Sequence, residues 1–233
     1  MGKKIRIAAF GSLNQGSYDM FREWLGHFAD TNGITVALAC AGPYPNAQGV
    51  TEPGRPLRAD ALKDPALKEE LLAAVAADAA RLGDDFDIYC MPCMSMISFH
   101  DGVEQKLRRP IVKLADALMN FYKNIDSVGI IHMRPAKDRI REMFGSKAIT
   151  PTPEQSDILF AAEEQAKREK TPAAVEKVMA DIVQGWKDLG LKHVLFARAD
   201  APMAQKGPAG QVQGIQINSY FELLAKSIVE SFT

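Results

Sequence analysis

Cys90 and Cys93 stand in the run Cys90-Met91-Pro92-Cys93, and Cys40 is the third cysteine. Cys93 falls just past an apolar run that reads as a strand, where a helix should begin. N–H groups at a helix start favour the thiolate, the reactive form of cysteine. A buried, inert cysteine is the common alternative. The CxxC spacing also suits a redox pair or half of a metal site. No second cysteine or histidine pair stands at ligand spacing, so zinc is not expected. Cys90 lies inside the strand and should point away from Cys93 or into the core, which argues against a redox couple.

Arginines are the second chemical group. Arg55 sits in Glu52-Pro53-Gly54-Arg55-Pro56, and Arg134 and Arg198 each follow a strand-like run. A guanidinium grips a carboxylate through two parallel hydrogen bonds. Three of them at one end of a sheet fit an anionic substrate, although arginines are also ordinary loop residues. His100, His132 and His193 are scattered and read as structural. His27 falls on the outer face of a helix. The run Gly11-Ser12-Leu13-Asn14-Gln15-Gly16 lacks the lysine of a P-loop and the spacing of a dinucleotide fingerprint. No nucleotide cofactor is expected.

These residues need elements to position them. Residues 5–10, 35–40 and 87–91 read as strands, and 17–29 and 65–82 as helices. Residues 41–58 are rich in Gly and Pro and read as a long loop, a length usually tied to function. The second half repeats the pattern. A short strand is expected at 110–113, then a helix at 114–122. A strand follows at 127–132 and a helix at 138–144. Thr152-Pro153-Glu154-Gln155 is a helix start, with Thr as N-cap and Pro at the first helical position. Thr171-Pro172 starts another helix, and strands follow at 193–197 and 215–217 before a final helix. Strand–helix alternation implies parallel α/β sheets, in two lobes of about a hundred residues each. Ligands of such sheets sit beyond the carboxyl ends of the strands.

Composition narrows the class. The 233 residues hold 28 Lys and Arg against 29 Asp and Glu, a net charge of −1. That balance argues against a general nucleic-acid binder or an anionic-membrane binder. The hydrophobic fraction of 47% supports a sizeable core. Three cysteines are too few for a disulfide scaffold. The apolar stretch at 7–10 is too short for a signal peptide, and no run is long enough to span a membrane. A cytoplasmic protein is expected.

The order of motifs resembles the aspartate/glutamate racemase superfamily, which includes hydantoin racemases, maleate isomerases and arylmalonate decarboxylases. The resemblance runs nearly the whole chain. Residues 4–19 are similar to the family's opening strand and glycine loop. Pro53-Gly54-Arg55 resembles its Pro-Asp-Arg segment. Residues 87–95 resemble the strand ending in Cys-Asn-Thr, with Cys93 at the first catalytic cysteine. Pro110-Ile111-Val112 resembles an Ile-Pro-Ile step. Residues 128–133 resemble a Val-Gly-Leu-Leu-Ala-Thr strand, and residues 149–155 a Pro-x-x-Glu-Glu-Gln helix start. Residues 189–202 resemble the strand ending in Gly-Cys-Thr-Glu-Leu-Pro.

The chain departs from the family at the second cysteine. That position falls on Arg198 if Pro202 is aligned, or on Ala197 if the strand is. The neighbouring Thr becomes Ala199 and the acidic position Asp200, while Met94 and Ser95 replace Asn and Thr beside Cys93. Family racemases use two thiols on opposite faces of the α-carbon. An arginine cannot exchange a proton near neutral pH.

The resemblance implies two lobes related by a pseudo-two-fold, each with a mainly parallel sheet flanked by helices, and an active site in the cleft between them. Residues 1–113 with 216–233 form the first expected lobe and residues 114–215 the second. The last helix should return to the first lobe, and a homodimer is expected. The expected activity is cofactor-independent isomerase or racemase chemistry at the carbon next to a carboxylate of a small amino acid or related acid. Cys93 would be the acid/base or nucleophile and Asp200 the partner base. Arg55, Arg134 and Arg198 would bind carboxylate, with Asn14, Met94, Ser95 and Met133 lining the site. Met91, Met94 and Met96 would make the pocket apolar, or else are core packing. Two alternatives stay open: a single-thiol decarboxylase or cis–trans isomerase of a dicarboxylate, and a non-catalytic carboxylate-binding relative.

Overall fold

A computed structural model describes residues 3–11, 15–41, 61–132, 137–169, 171, 173–197 and 214–233. Two parallel sheets organise the chain. The first holds β1 (Lys4–Ala9), β2 (Thr35–Cys40) and β3 (Ile88–Cys90), in the order β2-β1-β3. The second holds β4 (Val128–His132), β5 (Ala148–Ile149), β6 (His193–Ala197) and β7 (Gln216–Ser219), in the order β5-β4-β6-β7. Among the described residues every strand pairing is parallel. The central strands are buried on both faces, as strands covered by crossover helices must be. Ile5, Ile7, Ala8 and Ala9 in β1 and Ile130, Ile131, Val194, Leu195 and Phe196 in the second sheet are all buried.

The helices form where the periodicity places them. Helix α1 (Gln15–Thr31) buries Phe21 and Leu25, with Phe28 packed beside them. Helix α2 (Pro65–Arg81) starts at Asp64, whose carboxylate accepts the Ala66 N–H at 2.8 Å, with Pro65 at the first helical position. A 3₁₀ segment (Met94–Phe99) leads into α3 (His100–Leu107), and α4 (Leu114–Tyr122) precedes β4. Helix α5 (Lys137–Phe144) follows β4.

The Thr152 signal is a reciprocal cap. Its Oγ1 accepts the Gln155 N–H at 3.2 Å, and the Gln155 Oε1 accepts the Thr152 N–H at 2.9 Å. It opens α6 (Pro153–Glu169), and α7 (Ala173–Asp188) follows. The last helix, α8 (Tyr220–Glu230), has a capping box between Ser219 and Glu222. The expected strand at 110–113 is reduced to one parallel bridge between Cys90 and Val112, in which Val112 N–H donates to the Tyr89 carbonyl at 2.8 Å. Pro110 has no N–H for a ladder, and Lys113 is already the N-cap of α4.

Alternation along the second sheet divides the core. Val128, Ile130, Leu195 and Ala197 face one way and join the core built on the first sheet. Ile131, Val194 and Phe196 face the other way, against Leu159 of α6 and Met179, Ile182 and Trp186 of α7. Residues 216–219 hydrogen-bond into the second sheet, while the helix after them packs on α1, with the Phe21 and Phe221 ring centroids 5.9 Å apart. Among the described residues, no helix is long and apolar enough to cross a membrane.

Candidate active site

The carboxyl end of β3 carries the reactive-thiol candidate. Beyond Cys90 the chain turns through Met91 and Pro92, and Cys93 caps the 3₁₀ segment in an extended conformation (φ −130°, ψ 105°). Its N–H donates to the Met91 carbonyl at 2.8 Å, and its own carbonyl accepts the Met96 N–H at 3.0 Å. The side chain is buried, with 2% exposure.

Strand β1 brings a glycine against it. Ala9 pairs with Cys90, and the Phe10 N–H donates to the Cys90 carbonyl at 3.1 Å, carrying the pairing past the strand end. Gly11 follows with φ +124°, a conformation that L side chains rarely adopt. A β-carbon on Gly11 would lie 3.5 Å from the Cys93 β-carbon. The Tyr18 hydroxyl donates to the Gly11 carbonyl at 3.4 Å and ties this turn to α1.

The other two cysteines have a different setting. Ala9 pairs with Cys40 on one side and Cys90 on the other, so the three side chains share one face of the sheet. None of the three cysteines is in a disulfide. Burial pushes the Cys90 thiol far up and raises the Cys40 thiol as well. The expectation that Cys90 serves packing agrees with its complete burial.

Met91, Met94 and Met96 are fully or almost fully buried and belong to the core cluster that also holds Cys93, Ile97 and Phe99. They make the thiol's surroundings apolar as part of the packed interior. Ser95 lies within the 3₁₀ segment. Asn14, Arg55, Met133, Arg134, Arg198 and Asp200, all expected at the site, lie outside the described residues. Their flanking elements are described: α1 begins one residue after Asn14, β4 ends at His132 just before Met133, and β6 ends at Ala197 just before Arg198.

A buried histidine stands near the thiol's segment and carried no local sequence signal. His100 opens α3, is 2% exposed, and neither ring nitrogen has a hydrogen-bond partner. Burial lowers its pKa to about 4; Asp101 opposes that shift, while Lys113 and Arg139 reinforce it. It is neutral at pH 7. Beside it, Lys113 bridges Asp101 at 2.8 Å and Glu104 at 2.7 Å. These hydrogen bonds raise the Lys113 pKa and lower those of both carboxyls. Among the described residues, no group of three or more His, Cys, Asp or Glu is placed to hold a metal ion.

Solved structures similar to this fold include racemases and a racemase homologue. An aspartate racemase homologue from Pyrococcus horikoshii superposes with a TM-score of 0.70 at 12% identity, covering 99% of each chain. The Picrophilus torridus aspartate racemase gives 0.57 at 14% identity, covering 99% of this chain and 94% of the other. The Francisella tularensis glutamate racemase, solved in complex with D-glutamate, gives 0.57 at 12% identity, covering 98% of this chain and 81% of the other. No family model and no curated protein matches the sequence.

Proposed function

We propose that this chain, which carries the two-lobed fold of the aspartate/glutamate racemases, is an isomerase of that type acting at the carbon next to a carboxylate. The observation that carries the reading is the seat of Cys93: a thiol just past the carboxyl end of β3, packed on the Cβ-free Gly11. Open α/β sheets bind ligands at that end.

In this reading the Cys93 thiolate takes the α-proton. The C–H electron pair moves into the carboxylate, giving an enediolate, and a proton returns to the opposite face. Arg55, Arg134 and Arg198 neutralise the charge that develops on the carboxylate oxygens. Asn14, Ser95 and Met133 border the substrate. Asp200, three residues past β6, is the partner base that the sequence offers. The residues called on here need no bound cofactor for this chemistry.

A second reading keeps only one acid/base. Neither Ala197 nor Arg198 carries a thiol, and one thiol suffices to protonate the product of a decarboxylation or to add to a double bond and release it after rotation. Incubation in deuterated buffer separates the two. Racemisation places deuterium at Cα with epimer formation, whereas decarboxylation or alkene isomerisation changes the carbon skeleton's signals. Both readings require Cys93, so Cys93→Ser should abolish either reaction.

A further inference from the structure

We infer that His132 is a second acid/base of this site, delivering or removing the proton on the face opposite Cys93. The inference rests on the racemase reading above and gives the opposite-face proton to His132 in place of Asp200.

Strand register relates the two lobes. In the first sheet, Cys90 of β3 pairs with Ala9 of β1. Three residues past Cys90 stands Cys93, and two residues past Ala9 stands Gly11. Those two positions meet, since a β-carbon on Gly11 would lie 3.5 Å from the Cys93 β-carbon. In the second sheet, Leu195 of β6 pairs with Ile130 of β4. Arg198, the residue aligned with the family's second cysteine through Pro202, is three past Leu195. Two past Ile130 is His132. On the Pro202 alignment, His132 is the second lobe's counterpart of Gly11, the position that adjoins the thiol in the first lobe.

Orientation agrees. His132 shares its face of β4 with Val128 and Ile130, which pack into the core shared with the first lobe. Gly129 and Ile131 point the other way. His132 also pairs directly with Ala197, at the neighbouring-strand spacing of about 4.8 Å. His132 is only partly buried, at the carboxyl end of its strand. The two lobes thus differ in a compensating way. The first has glycine beside a thiol. The second has an imidazole at its strand end, and the arginine that follows β6 in the sequence holds its proton at neutral pH. Imidazole is the side chain that both gives and takes a proton near neutrality.

The step balances as a proton relay. Cys93 thiolate removes the α-proton and becomes a thiol, leaving an enediolate. The imidazolium of His132 gives its Nε2 or Nδ1 proton to the opposite face of Cα and becomes neutral imidazole. The reverse direction begins with neutral His132 and the Cys93 thiol. Exchange with solvent resets both groups.

The test is α-proton exchange in deuterated buffer, followed by proton NMR and chiral analysis. The probes are D- and L-aspartate, D- and L-glutamate and a 5-substituted hydantoin. Wild type is compared with His132→Gln, His132→Asn and Asp200→Asn, each checked for a native melting transition. The expected result is that both His132 variants lose epimer formation by at least about a hundredfold. They keep Cys93-dependent deuterium incorporation, with retention, into one enantiomer only. A structural role would reduce both faces together. Two results overturn the inference while leaving the racemase reading intact: epimerisation by both His132 variants within a few-fold of wild type, or the one-sided signature in Asp200→Asn alone. No exchange by wild type on any probe overturns the racemase reading and this inference with it.

Discussion

A β-carbon placed on Gly11 would sit 3.5 Å from the β-carbon of Cys93, with the Gly11 backbone at φ +124°. The strand end that carries Gly11 therefore backs the thiol directly. Gly11→Ala forces an L side chain into a backbone conformation it rarely adopts, at a cost of about 1–3 kcal/mol. We expect a lower denaturant midpoint and loss of Cys93-dependent turnover. A variant with wild-type stability and activity would show that the turn tolerates a side chain and does not position Cys93.

His100 should make the fold acid-sensitive. Its folded pKa is lowered to about 4 from an ordinary 6.5. Between those values the unfolded chain takes up a proton that the folded chain refuses. Stability attributable to His100 is therefore fully present above about pH 6.5 and is lost as pH falls towards 4. The span corresponds to roughly 3 kcal/mol. Asp101, Glu104, Lys113 and Arg139 face the same ring and are retained in the variant to be compared. His100→Leu removes two unpartnered ring nitrogens and the proton site together. Urea titrations should place it within about 1 kcal/mol of wild type at pH 7.5 and clearly above wild type at pH 4.5. Parallel pH curves for the two proteins would contradict this.

Gly129 lets β4 approach α7. A β-carbon there would run into the six-membered ring of Trp186. Overpacking of this kind costs about 1–3 kcal/mol. Gly129→Ala should lower the thermal midpoint and shift Trp186 fluorescence, and adding Trp186→Leu should recover part of the loss. A double-mutant cycle with no coupling would show that the two positions do not share this contact.

Much of this was readable from residue order because the signals were local. Thr152, Pro153 and Gln155 lie within four residues, so cap chemistry alone predicts where α6 begins. The switch between strand and helix periods predicts two parallel sheets. Cys93 is legible because it follows a strand closely and precedes a helical segment. What failed to show needed partners distant in sequence. The His100 pKa is lowered chiefly by burial, with Lys113 and Arg139 of other segments adding to the shift. The bridge at Val112 depends on Tyr89 and Cys90 rather than on its own composition. His132 reads as an isolated histidine until register sets it beside Ala197. The methionines around Cys93 read equally as pocket or core, and their burial places them in the core.

The start of α8 rests on one hydroxyl. Ser219 accepts the Phe221 N–H at 3.2 Å, and Glu222 returns a bond to the Ser219 N–H at 3.2 Å. Ser219→Ala should cost about 1 kcal/mol with an unchanged denaturant slope. Because α8 packs on α1 while β7 joins the second sheet, both halves should melt at the same lowered midpoint. Separate transitions would show that α8 does not couple the two sheets.

The central claim is that Cys93 performs chemistry beside a carboxylate. Proton NMR in deuterated buffer tests it most directly, using both enantiomers of aspartate and glutamate, substituted hydantoins, maleate and arylmalonates. The account predicts α-deuterium incorporation, decarboxylation or cis–trans conversion of at least one of these by wild type, and its loss in both Cys93→Ala and Cys93→Ser. Turnover that survives undiminished in the Cys93 variants would contradict it.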